Sequence, residues 1–376
     1  MSEPDGRPRG VRLPDETRRA WLQLIRSENV GPATFKTLVN RYGGAEAALE
    51  ALPGLAARGG RTIPVTGREA AEAELRRAEE LGARFVCLGE PDYPQLLRRL
   101  DQAPPVLAVM GDTALFARPA LAVVGARNAS LAGIKFARMI SSDVGKVGYV
   151  VVSGLARGID AAAHEATIAS GTVGVFAGGL DRPYPRENRP LMRQIADGGG
   201  CLVSEMPFGW EPRAIDFPRR NRLVAGLSLG LLVVEAAVRS GSLISARLAG
   251  EFGRLVFAVP GSPLDPRAAG TNRLIKDGAI LVTGADDVID ALRPLDARMG
   301  DGGSEVEEPE ADMANEEPAA GERERIVETL GPTPVAIDDI IAHTGASPGA
   351  VQLVLLELDL AGRLERHSNG HVSLIV

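Results

Sequence analysis

Glycine, arginine and small polar residues recur directly after apolar runs in this chain, and that combination builds anion-binding turns. Gly lets the backbone come close to a ligand, helix N-terminal amides point at it, and guanidinium groups add charge-assisted donors. Gly125 and Arg127 follow the run 120–124, and Ser153, Gly154, Arg157 and Gly158 follow 149–152. Gly178 and Gly179 follow 173–176, Glu235 and then Ser240, Gly241 and Ser242 follow 231–234, and Gly261 follows 256–259, with Asn272 at the opening of a later helix. Any one of these turns could be strand-end geometry and nothing more. A row of them along one edge suits a ligand with many phosphates in line, a nucleic-acid strand, better than a mononucleotide.

A second cluster, Phe217-Pro218-Arg219-Arg220-Asn221-Arg222, stands directly before a helical stretch. Three arginines within four positions do not easily share one carboxylate, and Phe217 offers a stacking face. Guanidiniums with an aromatic plate are the two ingredients of sequence-tolerant single-strand binding; a solvated helix start is the plain alternative.

The same residues limit the enzyme readings. Gly125-Ala126-Arg127 lacks the second glycine of a dinucleotide fingerprint, no G-x-x-x-x-G-K-[ST] occurs, and no G-x-S-x-G follows a strand. Asp160, Glu205 and Glu235 fall near strand ends, where acids could serve a nucleoside-phosphate hydrolase or could cap helices and orient the arginines. His164, four residues after Asp160, suggests an orienting pair. Of four histidines three follow residue 340, so no metal-ligand spacing is available. The expectation is a binder with no catalytic residue, metal or cofactor, and the rival is a hydrolase on a similar sheet.

The elements that must place these groups are legible. Continuous apolar runs at 85–88, 120–124, 149–152, 173–176, 202–203, 231–234 and 256–259 imply strands buried on both faces, and helix-length segments between them imply parallel pairing. The expected fold is α/β, an extended Rossmann-like, doubly wound and mostly parallel sheet, in which all post-strand turns share one crevice.

Before it, residues 15–66 read as helix, Asn29-Val30-Gly31-Pro32 turn, helix: a helix-hairpin-helix or SAM-like unit for phosphate or for protein contact. The sheet domain is expected over 67–292, an acidic disordered linker over 293–320, and three helices plus a hairpin around Asn369-Gly370, a winged helix, over 321–376. The winged helix's third helix carries Gln352, Glu357 and Asp359 and no Lys or Arg before Arg363, which favours protein contact over groove reading. Residues 1–14 read as disordered.

The 45% hydrophobic content of the 376-residue chain supports several buried cores. Its net charge of −7 opposes phosphate binding in sum, yet acid concentrates in 296–324 while base concentrates in 213–222. Cys87 and Cys201 sit in apolar runs and read as reduced core residues; with no apolar N-terminal segment or long apolar span, a cytoplasmic, non-membrane protein is expected.

Taken in order, Val124-Gly125-Ala126-Arg127, Ser153-Gly154-Leu155-Ala156-Arg157-Gly158-Ile159-Asp160 with His164, Gly178-Gly179-Leu180-Asp181 with Tyr184-Pro185 and Asn188, Ser204-Glu205, Phe217-Pro218-Arg219-Arg220-Asn221-Arg222, Glu235-Ala236, Ser240-Gly241-Ser242 and Gly270-Thr271-Asn272 resemble successive signatures of the DprA/Smf (DNA-processing protein A) family. The likeness spans about 70–285 and departs at Ala126, Leu131-Ala132 and Ser245. It implies an extended Rossmann-like domain that forms a homodimer, binds single-stranded DNA, and helps load the RecA recombinase during natural transformation. It also implies that Arg127, Ser153, Gly154, Arg157 and Gly158 line the pocket, with Phe217, Arg219, Arg220 and Asn221 beside it and Ser242 and Asn272 as additions.

Overall fold

The computed structural model describes residues 11–300, 317–319, 321–367 and 370–375. Among them the chain divides into two compact units, one holding residues 74–300 and the other combining residues 13–73 with the C-terminal stretch. The elements run α1 (Asp15–Arg26), α2 (Pro32–Tyr42), α3 (Ala45–Arg58), α4 (Arg68–Glu80), β1 (Ala83–Cys87), α5 (Gln95–Arg98), β2 (Val106–Gly111), β3 (Ala120–Val124), α6 (Leu131–Lys146), β4 (Val150–Ser153), α7 (Ile159–Thr167), β5 (Thr172–Val175) and α8 (Arg189–Asp197). There follow β6 (Cys201–Ser204), α9 (Asp216–Gly226), β7 (Gly230–Val233), α10 (Gly241–Glu251), β8 (Leu255–Ala258), α11 (Ala269–Lys276), β9 (Ile280–Leu281), α12 (Ala285–Gly300), α13 (Glu322–Glu328), β10 (Val335–Ala336), α14 (Ile337–Thr344), α15 (Pro348–Leu360), β11 (Leu364–Arg366) and β12 (His371–Leu374).

The first unit is one nine-stranded sheet of order β1-β2-β6-β5-β4-β3-β7-β8-β9. From β6 to β9 every pairing is parallel, as continuous apolar strands joined by helices require; β2 pairs antiparallel with both β1 and β6. Strand β3 is buried at all five positions, and the sheet's two faces carry separate apolar cores. The chain builds outward from β3 through β4, β5 and β6, then returns to β3's other side with β7, so the β3/β7 border is the topological switch point where a crevice opens.

Strand β9 and two other features were not expected. Strand β2 follows Pro104-Pro105, a pair that reads as a loop because neither residue donates a backbone hydrogen bond. Helix α12 continues to Gly300, inside the stretch assigned to the linker from 293, because Val288 and Leu292 are fully buried on the sheet and Leu295 packs beside them. Residues 301–316 and 320, where most of the linker expectation falls, lie outside the described residues, as do 1–10. Both cysteines are buried, and burial pushes the Cys201 thiol up to about 12. Among the described residues no helix is long and apolar enough to cross a membrane, and no metal-binding cluster occurs.

The second unit joins two segments that lie far apart in sequence. Helices α1–α3 form the N-terminal hairpin, with Asn29 at φ +61 in its turn, and α13–α15 with the three-stranded sheet β10-β12-β11 form the winged helix.

Candidate nucleic-acid interface

The strand-end turns meet at the switch point. After β4 the chain makes a tight loop: Leu155 takes φ +60, a left-handed conformation unusual for a branched side chain, and Gly158 takes φ +76 before α7 begins. Leu155 holds that position because its side chain is buried, and Asp160 fastens the loop by accepting the amides of Gly154 at 3.1 Å and Ala156 at 3.4 Å. Burial pushes the Asp160 carboxyl up, against the opposing pull of Arg220.

A cavity of about 550 Å³ lies over this loop, lined by Arg127, Gly154, Arg157, Phe217, Arg220 and the segment from Asp181 to Arg189. A second of about 200 Å³ adjoins it above the β3/β7 border, lined by Gly125, Asn221, Ser240, Gly241 and Ser242 among others. The two share Arg127, Ala156, Phe217 and Arg220, which makes them one continuous track. Phe217 stands where they meet. The Arg127 guanidinium lies over its ring at 5.4 Å, and Tyr184, half-exposed, meets its edge with centroids 5.4 Å apart.

Of the residues singled out from the sequence, Gly125, Arg127, Gly154, Arg157, Phe217, Arg220, Asn221 and Ser242 are brought together on this track. Asp160, Ser240 and Gly241 line it as well, whereas Ser153, Gly158, Gly178, Gly179, Arg219, Arg222 and Asn272 lie outside its lining. Ser153 is buried and donates to Val123 O at 2.6 Å, pinning β4 to β3. Gly158 shapes the loop, since a Cβ there would sit 2.3 Å from Ala126 O. Gly178 and Gly179 let the 207–212 segment lie against the end of β5: a Cβ would come within 2.7 Å of Trp210 O and 2.4 Å of Pro207 O respectively. Asn272 is occupied at both ends by Gly261, accepting its N–H at 3.1 Å and donating to its carbonyl at 2.9 Å.

The arginine run divides by helix geometry. Arg219 and Arg222, one turn apart on α9, share Glu205, with Arg219 Nε 3.4 Å away and Arg222 bound directly to it while also donating to Gln102 O at 2.8 Å. Two of the three thus share one carboxylate, because an i,i+3 pair lies on one helix face, and the third does not. Arg220 turns the other way and is buried on the track floor, its Nη1 donating to Gly154 O and to Val175 O at 2.8 Å. Burial lowers its pKa to about 10, with Asp160 pulling it back up, so it stays cationic at neutral pH.

The three strand-end acids are likewise bound to protein donors: Asp160 to the loop amides, Glu205 to the arginines, and Glu235 to Ser130, whose N–H and hydroxyl approach it at 2.9 and 2.5 Å. His164 does not pair with Asp160; its Nδ1 meets Thr172 Oγ1 at 2.7 Å beneath the sheet.

Burial, with Arg220 nearby, lowers His164 from 6.5 to about 3. The folded protein therefore refuses a proton that the unfolded chain accepts below pH 6.5, and stability falls on acidification through that window. Between pH 7 and pH 5 this group should cost about 2 kcal/mol. Unfolding free energies from urea titrations at the two pH values should differ less in His164→Gln than in the parent by that amount; an equal difference would refute the assignment.

Sequence reasoning missed the arm 182–189. It contributes exposed Arg182, Arg186 and Arg189 and the ring of Tyr184 to the larger cavity. Three arginines in eight positions was the available signal, although only Tyr184-Pro185 and Asn188 of this arm entered the sequence reading, as part of the resemblance.

Comparison with known proteins agrees with this architecture. Residues 84–293 match the family described as DNA recombination-mediator protein A, residues 15–77 the DprA-like N-terminal HHH domain, and residues 309–370 the DprA winged helix domain. Protein Smf of Escherichia coli is 35% identical over 82% of this chain and 82% of its own length. A putative DNA processing protein DprA of Mycobacterium tuberculosis is 34% identical over 93% of each. Among solved structures, DNA processing protein A of Streptococcus pneumoniae matches at TM-score 0.55 and 38% identity, covering 60% of this chain and 77% of that one. DNA processing protein A of Helicobacter pylori, whose structure addresses its single-stranded-DNA binding mode, matches at TM-score 0.52 and 30% identity over 56% and 96%. With the central match covering more than half its length and helical hairpin and winged helix on either side, the chain belongs to the DprA/Smf family of recombination mediators.

Proposed function

We propose that this chain binds single-stranded DNA along the strand-end track, without chemical turnover, and acts in DNA processing during transformation by protecting incoming strands and loading a RecA recombinase, as a cytoplasmic homodimer formed through the central domain. The observation that carries the reading is the continuity of the two cavities around Phe217, with Arg127 and Arg157 beside it and the exposed cations of the 182–189 arm along its rim. Backbone phosphates can follow the cations while a base stacks on the Phe217–Tyr184 pair. A crevice on one sheet edge is tracked by a flexible strand more readily than by a stiff duplex. The DNA-binding assignment extends to Ser153, Gly158, Gly178, Gly179, Arg219, Arg222 and Asn272, which stand outside the lining of the two cavities.

A salt series tests it. Single-stranded DNA should bind more tightly than duplex of the same length, with log affinity falling linearly in log salt. Neutralising Arg182, Arg186 and Arg189 together should reduce that slope by about 2, near 0.7 for each phosphate deprived of its cation; an unchanged slope would remove the arm from the interface. Filament assembly of a RecA recombinase on single-stranded DNA, with and without the protein, tests the loading role. The hydrolase alternative is disfavoured by the protein donors already held by Asp160, Glu205 and Glu235. Release of free base from nucleoside monophosphates by the purified protein would revive it.

A further inference from the structure

A winged helix that reads DNA keeps its third helix free to enter the major groove. Here that helix, α15, is buried along nearly its whole length. It carries two apolar stripes. Val351, Val354, Leu355 and Leu358 fill the core of the winged helix itself, while Leu353, Leu356 and Leu360, spaced i, i+3, i+7, belong to the core of the N-terminal hairpin alongside Leu24, Phe35 and Leu52.

Polar contacts close the same face. Glu357 is 1% exposed and is gripped by Arg58 of α3 at 2.6 Å and by Arg323 of α13 at 2.8 Å. Thr34 Oγ1 donates to Asp359 at 3.0 Å, and Asn29 Nδ2 in the hairpin turn donates to Leu360 O at 2.9 Å. The backbones nearly touch: a Cβ placed on Gly59 would lie 2.0 Å from Glu357 O. The helix has no Lys or Arg of its own to offer a phosphate, and its two acids are already engaged by protein donors.

We propose that the winged helix is a docking module for the chain's own helical hairpin and not a duplex reader: the surface that a groove-reading winged helix leaves open is here a protein–protein interface, and its partner is α1–α3. The hairpin and winged helix are thereby one cooperative body, and nucleic-acid binding belongs to the sheet domain alone.

The test uses the full chain. Gly59 has φ −70 and ψ −7, ordinary helical values that alanine adopts freely, so Gly59→Ala leaves the hairpin's own backbone unstrained while wedging it from α15. Hydrogen exchange should accelerate at least about ten-fold in α1–α3 and in α15 together, as for a single opening unit. Single-strand and duplex affinities should both stay within about two-fold of the parent. Acceleration confined to one partner, or absent, would overturn the joint; a duplex affinity that rises about ten-fold on opening would overturn the docking role and reveal a masked reader. Arg58→Met, which takes one partner from Glu357 without adding bulk at the joint, should move exchange the same way to a smaller extent, and keeps the question decidable should the wedge prevent folding. Failure of single-strand binding in the unsubstituted chain would count against the sheet-domain track and leave this interface standing.

Discussion

Replacing Arg127 and Phe217 together with alanine is expected to weaken single-stranded DNA binding about 100-fold at low salt, with little change in melting temperature. The loss has two sources. A base stacked on an aromatic ring contributes about 1–3 kcal/mol by alanine substitution, and an arginine on the backbone adds its phosphate contact. They are coupled because the Arg127 guanidinium lies over the Phe217 ring at 5.4 Å and fixes its face toward the track. The single variants should therefore sum to more than the double. Fluorescence anisotropy with a labelled oligonucleotide checks this. A double variant that binds as the parent does would remove the central element of the proposed interface.

The second large effect is on the fold that presents the site. Gly158→Ala should destabilise the sheet domain by about 3 kcal/mol, combining overpacking with an unfavourable backbone conformation. At φ +76, its Cβ would press on Ala126 O at 2.3 Å and Arg127 O at 2.7 Å, both backbone atoms that cannot swing aside. In a domain of this size that corresponds to a melting temperature lower by roughly 6–12 °C. DNA affinity should fall as well, since the displaced backbone is that of Arg127. Thermal unfolding of Gly158→Ala beside Gly241→Ala, where a Cβ meets nothing within 4 Å, gives the comparison. Equal melting temperatures would show that the loop has room that its geometry denies.

Local pattern made the sheet legible, because a strand buried on both faces must be apolar at every position, as 120–124 is. The apolar run of β2 was passed over because Pro104-Pro105 directly before it reads as a loop, and β9 has only two residues. The site was legible as residue types and illegible as directions. Arg219, Arg220 and Arg222 are alike in sequence, yet each residue on a helix turns about 100°, so one lines the track and two grip Glu205. Composition alone could not say which, since Glu205 comes from the end of another strand. The Arg182–Arg189 arm lacks helix or strand periodicity, and its place beside Phe217 is set wholly by tertiary packing. The shared core of hairpin and winged helix was invisible for a related reason: Leu353, Leu356 and Leu360 look like any amphipathic stripe, and no neighbouring residue names a partner more than 300 positions away.

That separation bears on how the molecule is made. Asn29 finds its acceptor 331 residues downstream at Leu360, so α1–α3 leave the ribosome well before α15 and lack part of their interior until it has been translated. At about 5–20 residues per second the delay is roughly 15–65 s, during which Leu24, Phe35 and Leu52 have no leucines from α15 to cover them, while β1–β9 can already condense. The hairpin is thus translated ahead of the sheet domain yet completed only after it, when α15 supplies the missing part of its core.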